Sequence, residues 1–416
     1  MTVNDYIREN WKNSIRAGEN KGLPYPFNSP SCEQTSDVGF ENFFYWDTYF
    51  INLGLLCDGM RDQALNNIKN MMFLIDRYGY MPNVATPGGD NRSQFPLFIP
   101  MCHVYWQHTG DTAFIRTAYP YMEKEYSFWM KERMTPCRLN RYGNNADAKV
   151  HQDFYKIIMR ERLGGEKKQK ESIEYLGSNL LSETESGWDF TPRFQARAEQ
   201  YAPIDLNSLL YANERILAHF GRILGKKNSY AEAAENRRRL LEDFCTVNGI
   251  FYDYNFIYGS CSPLVSAALF MPYLCGVSDD KDKALQILQT LDTAFGIPAT
   301  SQTKDFGLYQ WCYPNIWPPL ECLSVMALDR VGLKTEAKLQ AKKYIDLVDR
   351  CWEETGSLWE KYDCITGRKA CVHEYAESKM LGWTAGTYRV FEQYLAEGRM
   401  IHNFSIEKKE DVYETI

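Results

Sequence analysis

Residues 205–225 read "DLNSLLYANERILAHFGRILG". Leu206, Leu209, Leu210, Ala212, Ile216, Phe220 and Ile223 fall on one face at a spacing near 3.6, and Gly225 offers a stop. A strand would alternate apolar and polar residues at every second position, and this stretch does not. The same period recurs in "RDQALNNIKNMMFLIDRYG" (61–79), where Ala64, Ile68, Met71, Met72 and Ile75 share a face and Gly79 ends it. It returns at 229–244, 282–295, 322–332, 335–352 and 378–398. About a dozen helical stretches result, against one candidate strand, "GIFYDYNF" (249–256). Helix–loop–helix units follow each other without a clear domain linker, so the chain reads as all-α, a closed array of helical hairpins with long loops at one end.

The bulk numbers agree with one large folded unit. The chain has 416 residues, 44% hydrophobic and 24% charged, enough to bury a substantial core. Its net charge of −7 argues against nucleic acid, whose phosphates need clustered cations. The short basic run "EKKQK" (166–170) reads as a solvated helix start or loop. No apolar run is long enough to span a bilayer, so no membrane partner is expected. The start "MTVNDYIREN" lacks a signal-peptide pattern, and the 12 cysteines show no CxxC pair. Reduced thiols and a cytoplasmic location are the expectation.

The connecting segments hold the unusual residues. They include "PNVATPGGDNRSQFP" (82–96), "ESGWDFTPRF" (185–194), "FGIPATSQTKDFGLYQWCYPNIWPP" (295–319) and "LWEKYDCITGRKACVHEY" (358–375). Loops on a rigid scaffold are where sites tend to lie. Several chemistries are disfavoured. The six histidines form no HExxH, so no metal is expected, and His103 and His108 read as core or cap residues. "GRILGKKN" (221–228) is one residue short of a phosphate-binding loop, and neither GxGxxG nor GxSxG occurs, so no cofactor is implied. "SDDKD" (278–282) has the wrong spacing for a diphosphate–magnesium site and reads as a helix cap.

Three Trp–acid pairs remain: Trp46-Asp47, Trp188-Asp189 and Trp359-Glu360. Singly, each fits a cap or a buried ion pair. Three of them in Gly/Pro-rich loops point to carboxyl chemistry beside rings. Glycoside hydrolysis needs two carboxyl groups flanking the scissile bond, one of them kept protonated by apolar surroundings. Indole faces stack on pyranose C–H faces.

These segments resemble, in order, the trehalases (glycoside hydrolase family 37), inverting α-glycosidases with an (α/α)6 barrel. "FENFFYWDTYF" is similar to the first trehalase signature, and "YQWCYPNIWPP" to the second. The resemblance implies that Asp189 is the general acid and Glu360 the general base, with carboxyls about 6.5–9.5 Å apart to admit a water. It further implies sugar contacts from Phe40, Tyr45, Trp46, Asp47, Asn83, Arg92, Gln94, Gly187, Trp188, Gln310, Trp311, Trp317, Glu374 and Trp383. Lys361, beside the base, is read equally as its electrostatic support or as a surface lysine. The implied layout is a helical extension at 1–35, a catalytic barrel at 36–400 and a tail at 401–416, with a small sugar substrate and no other partner.

The departures fall on the specificity residues. Gly39 and Asn42 stand where trehalases carry Arg and Glu. Cys312 and Ile316 replace Asp and Gly, and a further Arg-bearing segment has no counterpart. The "IWPP" form (316–319) also resembles glycoside hydrolase family 63, which includes α-glucosidases and mannosylglycerate or glucosylglycerate hydrolases. A non-catalytic sugar-binding barrel is the remaining alternative.

Overall fold

The computed structural model describes residues 1–32, 40–163, 170–304, 309–370, 379, 382–401, 404 and 406. Fourteen α-helices dominate the described residues, joined by a few two-residue strands. In chain order the first seven are α1 (Val3–Asn10), α2 (Tyr45–Cys57), α3 (Arg61–Tyr78), α4 (Phe98–Thr109), α5 (Thr112–Glu132), α6 (Ala148–Glu161) and α7 (Ile173–Thr184). They are followed by α8 (Ile204–Ile223), α9 (Tyr230–Cys245), α10 (Met271–Cys275), α11 (Lys281–Leu291), α12 (Pro318–Arg330), α13 (Lys334–Thr355) and α14 (Gly382–Glu397).

Helices α2, α4, α8, α10, α12 and α14 pack each against the next, and α14 returns to α2 to close the ring. Helices α3, α5, α9, α11 and α13 lie outside them, each on a neighbouring inner helix, and α1 lies outside α14 and the end of α2, with Asn4 bonded to Glu392 and Arg8 to Asp58. This is the (α/α)6 barrel. Burial separates the two layers. In α2, 12 of 13 residues are buried and in α8, 17 of 20, whereas α13 buries 8 of 22. An inner helix is covered on all sides, so its polar residues need partners inside the protein. In α8, Asn207 accepts from Asn140 N at 2.8 Å and Glu214 pairs with Arg237 at 2.8 Å. Up to Gly221 the stretch is therefore more than amphipathic, with most of its polar residues buried as well, whereas Ile223, expected on the apolar face, lies in the last turn and is exposed.

Ring closure depends on glycine. A Cβ on Gly386 in α14 would lie 2.0 Å from the Phe50 carbonyl oxygen of α2, so only a bare backbone allows that approach. The N-terminal segment packs across this seam. Trp11 is buried and donates to Asp58 at 2.8 Å, and Asp58 also pairs with Arg389 of α14 at 2.8 Å.

Other local expectations resolve as follows. Gly79 and Gly225 end or follow their helices with φ of 88° and 67°. Asp280 caps α11 by accepting from the backbone N–H groups of Asp282 and Lys283, each at 3.1 Å. His103 is buried in α4, and a ring nitrogen of His108 lies 2.9 Å from the Val104 carbonyl. The stretch 249–256 holds two strands, Ile250–Phe251 and Tyr254–Asn255, because the first pairs with Thr246–Val247 and the second with Tyr201–Ala202 and Ser260–Cys261. Residues 166–169 of the basic run lie outside the described residues.

Helices α6 and α7 are an inserted hairpin. They pack chiefly on each other and own a small separate core of Tyr155, Ile158, Met159, Leu163, Leu176 and Leu180. Its seventh member is Phe190, from the "ESGWDFTPRF" loop. The hairpin thus brings a second hydrophobic core against one candidate catalytic segment.

Candidate active site

Asp189 sits at the seam of two cores. Trp188 enters the main core and Phe190 the small α6–α7 core, and both are 2% exposed. The flanking rings are therefore two anchors pulling in different directions, and Asp189 is the residue held between them. The rest of the loop is tied down as firmly. Trp188 N donates to the Ser186 hydroxyl at 3.0 Å, and Thr191 N donates to Glu183 at 2.7 Å. Arg193, fully buried, donates to Asp205 at 2.8 Å and to both oxygens of Asp253 at 3.0 and 2.9 Å. Its guanidinium also lies 4.4 Å from the Trp188 ring centroid. Upstream, the Glu185 carboxylate takes two bonds from Arg133 (2.8 and 2.9 Å) and one each from Ser93 N and Gly143 N (2.8 and 2.6 Å). That single buried carboxylate joins the Asp189 loop to the "NRSQ" stretch.

Gly187 is required where it stands. Its φ is 82°, and a Cβ would lie 2.8 Å from the Trp46 indole. Gly187→Ala should lower folding stability by about 1–3 kcal/mol through combined backbone and overpacking strain. A urea melt reads this directly.

Glu360 lies in the segment between α13 and the strand Tyr362–Asp363. Its Oε2 is 2.9 Å from Lys361 Nζ, and its carbonyl accepts from the Trp383 indole N–H at 2.9 Å. Lys361 is 2% exposed, so its reading as a surface lysine does not stand. Its stem and ammonium are enclosed, and the ammonium lies 4.6 Å from the Trp317 ring centroid. Gln310 connects this loop to the Asp189 loop, with Nε2 donating to the Asp189 carbonyl at 2.7 Å and Oε1 accepting from Lys361 at 2.9 Å.

The tryptophans gather beneath these loops. Trp311 stacks on Trp317 at 3.6 Å between centroids with a 6° tilt, and on Trp188 at 5.8 Å. Trp46 meets Trp311 at 5.5 Å and Trp383 at 5.9 Å, and Trp317 meets Trp383 at 5.8 Å. All five are 1–5% exposed. They form a packed aromatic floor, with most of their ring area spent on one another. The third Trp–acid pair departs from this scheme: Trp359 is only partly buried, and its N–H donates to Thr355 at 2.8 Å.

The remaining candidates divide. Asp47, on the first turn of α2, is 6% exposed. Burial pushes its pKa up to about 8, and the charges of Glu360 and Asp189 add to the rise. Asp189 is raised too, by burial first and then by Glu360, against the opposing charges of Arg162 and Arg92. The three carboxyl groups thus share one electrostatic environment. Arg92 hydrogen-bonds Asn91 at 2.8 Å, its buried Nε has no partner among the described residues, and its charge opposes the rise of the Asp189 pKa. Asn83 braces the loop: its N donates to Arg92 O at 3.0 Å, and its O accepts from Tyr45 N at 3.0 Å.

Two polar candidates are occupied elsewhere. Gln94 Oε1 accepts from Trp46 N at 3.0 Å, satisfying an open donor at the start of α2. Tyr45 is fully buried; its hydroxyl donates to Glu125 at 2.5 Å and accepts from Phe98 N at 2.9 Å, so it serves the core. Phe40 is half-buried with its ring 6.3 Å from Phe44. Glu374 lies outside the described residues. Sequence reasoning missed Arg162, Arg193, Asp253, Glu185 and Arg133. Glu185 and Arg193 stand inside the quoted loop, and two charges bracketing an apolar run were the available signal.

The Asp47 carboxyl makes a pH prediction. Unfolded, it loses its proton near pH 4; folded, near pH 8. Between those values the folded state binds more protons, so stability falls as pH rises, by up to about 1.4 kcal/mol per pH unit for one such group. Asp47→Asn mimics the protonated form. It should match the parent below about pH 4 and exceed it by a growing margin up to about pH 8, as read by melting temperature across that range.

Residues 37–395 match the family model for Trehalase. The periplasmic trehalase of Pseudomonas aeruginosa is 28% identical over 400 residues, which is 88% of this chain and 70% of that protein. The periplasmic trehalase of Escherichia coli O1:K1 is 28% identical over 424 residues, 93% of this chain and 73% of that one. Among solved structures, the neutral trehalase of Saccharomyces cerevisiae has a TM-score of 0.75 at 22% identity, covering 93% of this chain and 78% of its own. The family 63 mannosylglycerate hydrolase of Thermus thermophilus, bound to Tris and D-glycerate, has a TM-score of 0.67 at 16% identity, covering 94% and 100%. At these identities the two structures speak for the fold alone. The names of the two bacterial relatives overturn the expected cytoplasmic location. That expectation rested on the pattern of the first residues and on cysteine spacing. The eleven described cysteines form no disulfide with one another and are mostly buried, and a core this large needs no staple in any compartment.

Proposed function

This chain belongs to the trehalase family of glycoside hydrolases, and on that premise we propose that it cleaves α,α-trehalose, or a closely related small α-glucoside, with inversion at the anomeric carbon. Protonated Asp189 gives its proton to the glycosidic oxygen as the bond to the anomeric carbon breaks and its electron pair stays on that oxygen. Glu360 takes a proton from the water that attacks the same carbon from the opposite face. Asp47, protonated at neutral pH, donates to a sugar hydroxyl, and Arg92 binds another. Residues 36–400 are the catalytic barrel, 1–35 an extension packed on it and 401–416 a tail.

One observation supports this above the others: Asp189 and Glu360 come from distant loops, yet the Glu360 charge raises the Asp189 pKa and both charges raise that of Asp47. A second reading, hydrolysis of a glycosylglycerate, is favoured by the altered signature positions. The Cys312 thiol donates to the Tyr309 and Tyr313 carbonyls (2.8 and 3.1 Å), and Ile316 is buried, so neither offers the polar group of the trehalase pattern. Asn42 accepts from Lys21 at 2.6 Å. Comparing kcat/KM across trehalose, other α-linked glucose disaccharides, glucosylglycerate and mannosylglycerate tests both. Trehalose preferred at least tenfold supports the first reading; a glycosylglycerate preferred by that margin replaces it.

A further inference from the structure

Gln310 is implied by family resemblance to contact sugar, yet both ends of its amide are used by the protein. Nε2 donates to the backbone carbonyl of Asp189 at 2.7 Å, and Oε1 accepts from Lys361 Nζ at 2.9 Å. Lys361 Nζ then donates to Glu360 Oε2 at 2.9 Å. The line runs without a break from the acid's backbone to the base's carboxylate.

We propose that Gln310 and Lys361 form a strap that sets the spacing of Glu360 from the Asp189 loop, and that both are positioning residues rather than sugar ligands. The proposal rests on the reading of Asp189 and Glu360 as acid and base. Each link is itself braced. The Gln310 carbonyl accepts from the Trp317 indole N–H at 3.0 Å and from Asn315 Nδ2 at 2.8 Å. The next residue, Trp311, donates its N–H to the Phe190 carbonyl at 3.2 Å, a second tie to the acid loop. Asn315–Ile316 pairs antiparallel with Tyr362–Asp363, so the 310 segment and the base loop are also joined strand to strand. An enclosed ammonium is costly unless paired, and here the Glu360 carboxylate, the Gln310 amide oxygen and the Trp317 face each meet it. The same charge-assisted bond that shelters Lys361 restricts the rotamer of Glu360.

A small displacement of a catalytic group costs rate more than binding, on the order of 10²-fold per ångström. Gln310→Met removes both amide bonds at nearly constant volume. It should lower kcat on trehalose by about 10–100-fold while KM, and the dissociation constant of glucose by calorimetry, stay within about threefold. Lys361→Met should behave likewise, and Lys361→Arg, which keeps the cation, should recover part of the loss. Should Lys361→Met fail to fold, Gln310→Met and Gln310→Glu decide the matter, the latter placing an oxygen against the Asp189 carbonyl. A rise of tenfold or more in KM or in the glucose constant with kcat preserved would make Gln310 a sugar ligand and overturn the strap. Unchanged kinetics would overturn it as well. Wild-type inactivity on every α-glucoside would instead remove the acid–base reading and the strap with it.

Discussion

Asp189→Asn is expected to lower kcat/KM on trehalose by about 10²–10⁴-fold, or roughly 3–5 kcal/mol of transition-state stabilisation. The amide cannot deliver a proton to the departing oxygen. It keeps the side-chain volume, and the anchors at Trp188, Phe190 and Arg193 do not pass through the carboxyl, so the fold should be retained. The defect should depend on the leaving group. An aryl α-glucoside whose aglycone departs without help should suffer less, because its transition state asks less of the acid. In the parent enzyme the alkaline fall in rate should track loss of the Asp189 proton, which burial, then the Glu360 charge, holds on above the ordinary carboxyl range. The variant should lack that limb. A loss equal for good and poor leaving groups would contradict the assignment.

Glu360→Gln is expected to cost a similar 10²–10⁴-fold, with a different signature. Activation of water is needed whichever group departs, so the loss should be the same for trehalose and for an aryl α-glucoside. The amide oxygen can still accept from Lys361, now 2.9 Å from Oε2, but it no longer balances that enclosed ammonium, so the melting temperature should fall while the fold is kept. KM should move far less than kcat. The two variants measured on the same two substrates therefore separate acid from base, and a barrel that only bound sugar would show neither loss.

How far the sequence carried the reading differs by layer. Helix positions followed from the 3.6 period and from glycine stops such as Gly79. The distinction between inner and outer helices was not legible, because buried polar residues such as Asn207 and Glu214 look like a solvated face until their partners, Asn140 and Arg237, are placed. The two loops proposed to carry the acid and the base stood out as Trp–acid pairs within Gly/Pro-rich segments. What rings do there did not: Trp188 and Phe190 looked like a hydrophobic wrapping for Asp189 and are anchors in two separate cores. The charged clamps, Arg193 with Asp253 and Arg133 with Glu185, join residues far apart in the chain, and one-dimensional spacing carries no trace of such pairs. Gln94 and Tyr45 also carry structural contacts that the motif did not reveal, one holding the start of a helix and the other a core carboxyl.

The proposed chemistry turns on attack by water on one face of the sugar while a proton is delivered on the other. Proton NMR of trehalose during the first moments of hydrolysis, before the anomers equilibrate, decides whether this happens. Inversion predicts α-glucose and β-glucose released in equal amounts, the β-anomer coming from the attacked ring. Initial release of α-glucose alone would be incompatible with it.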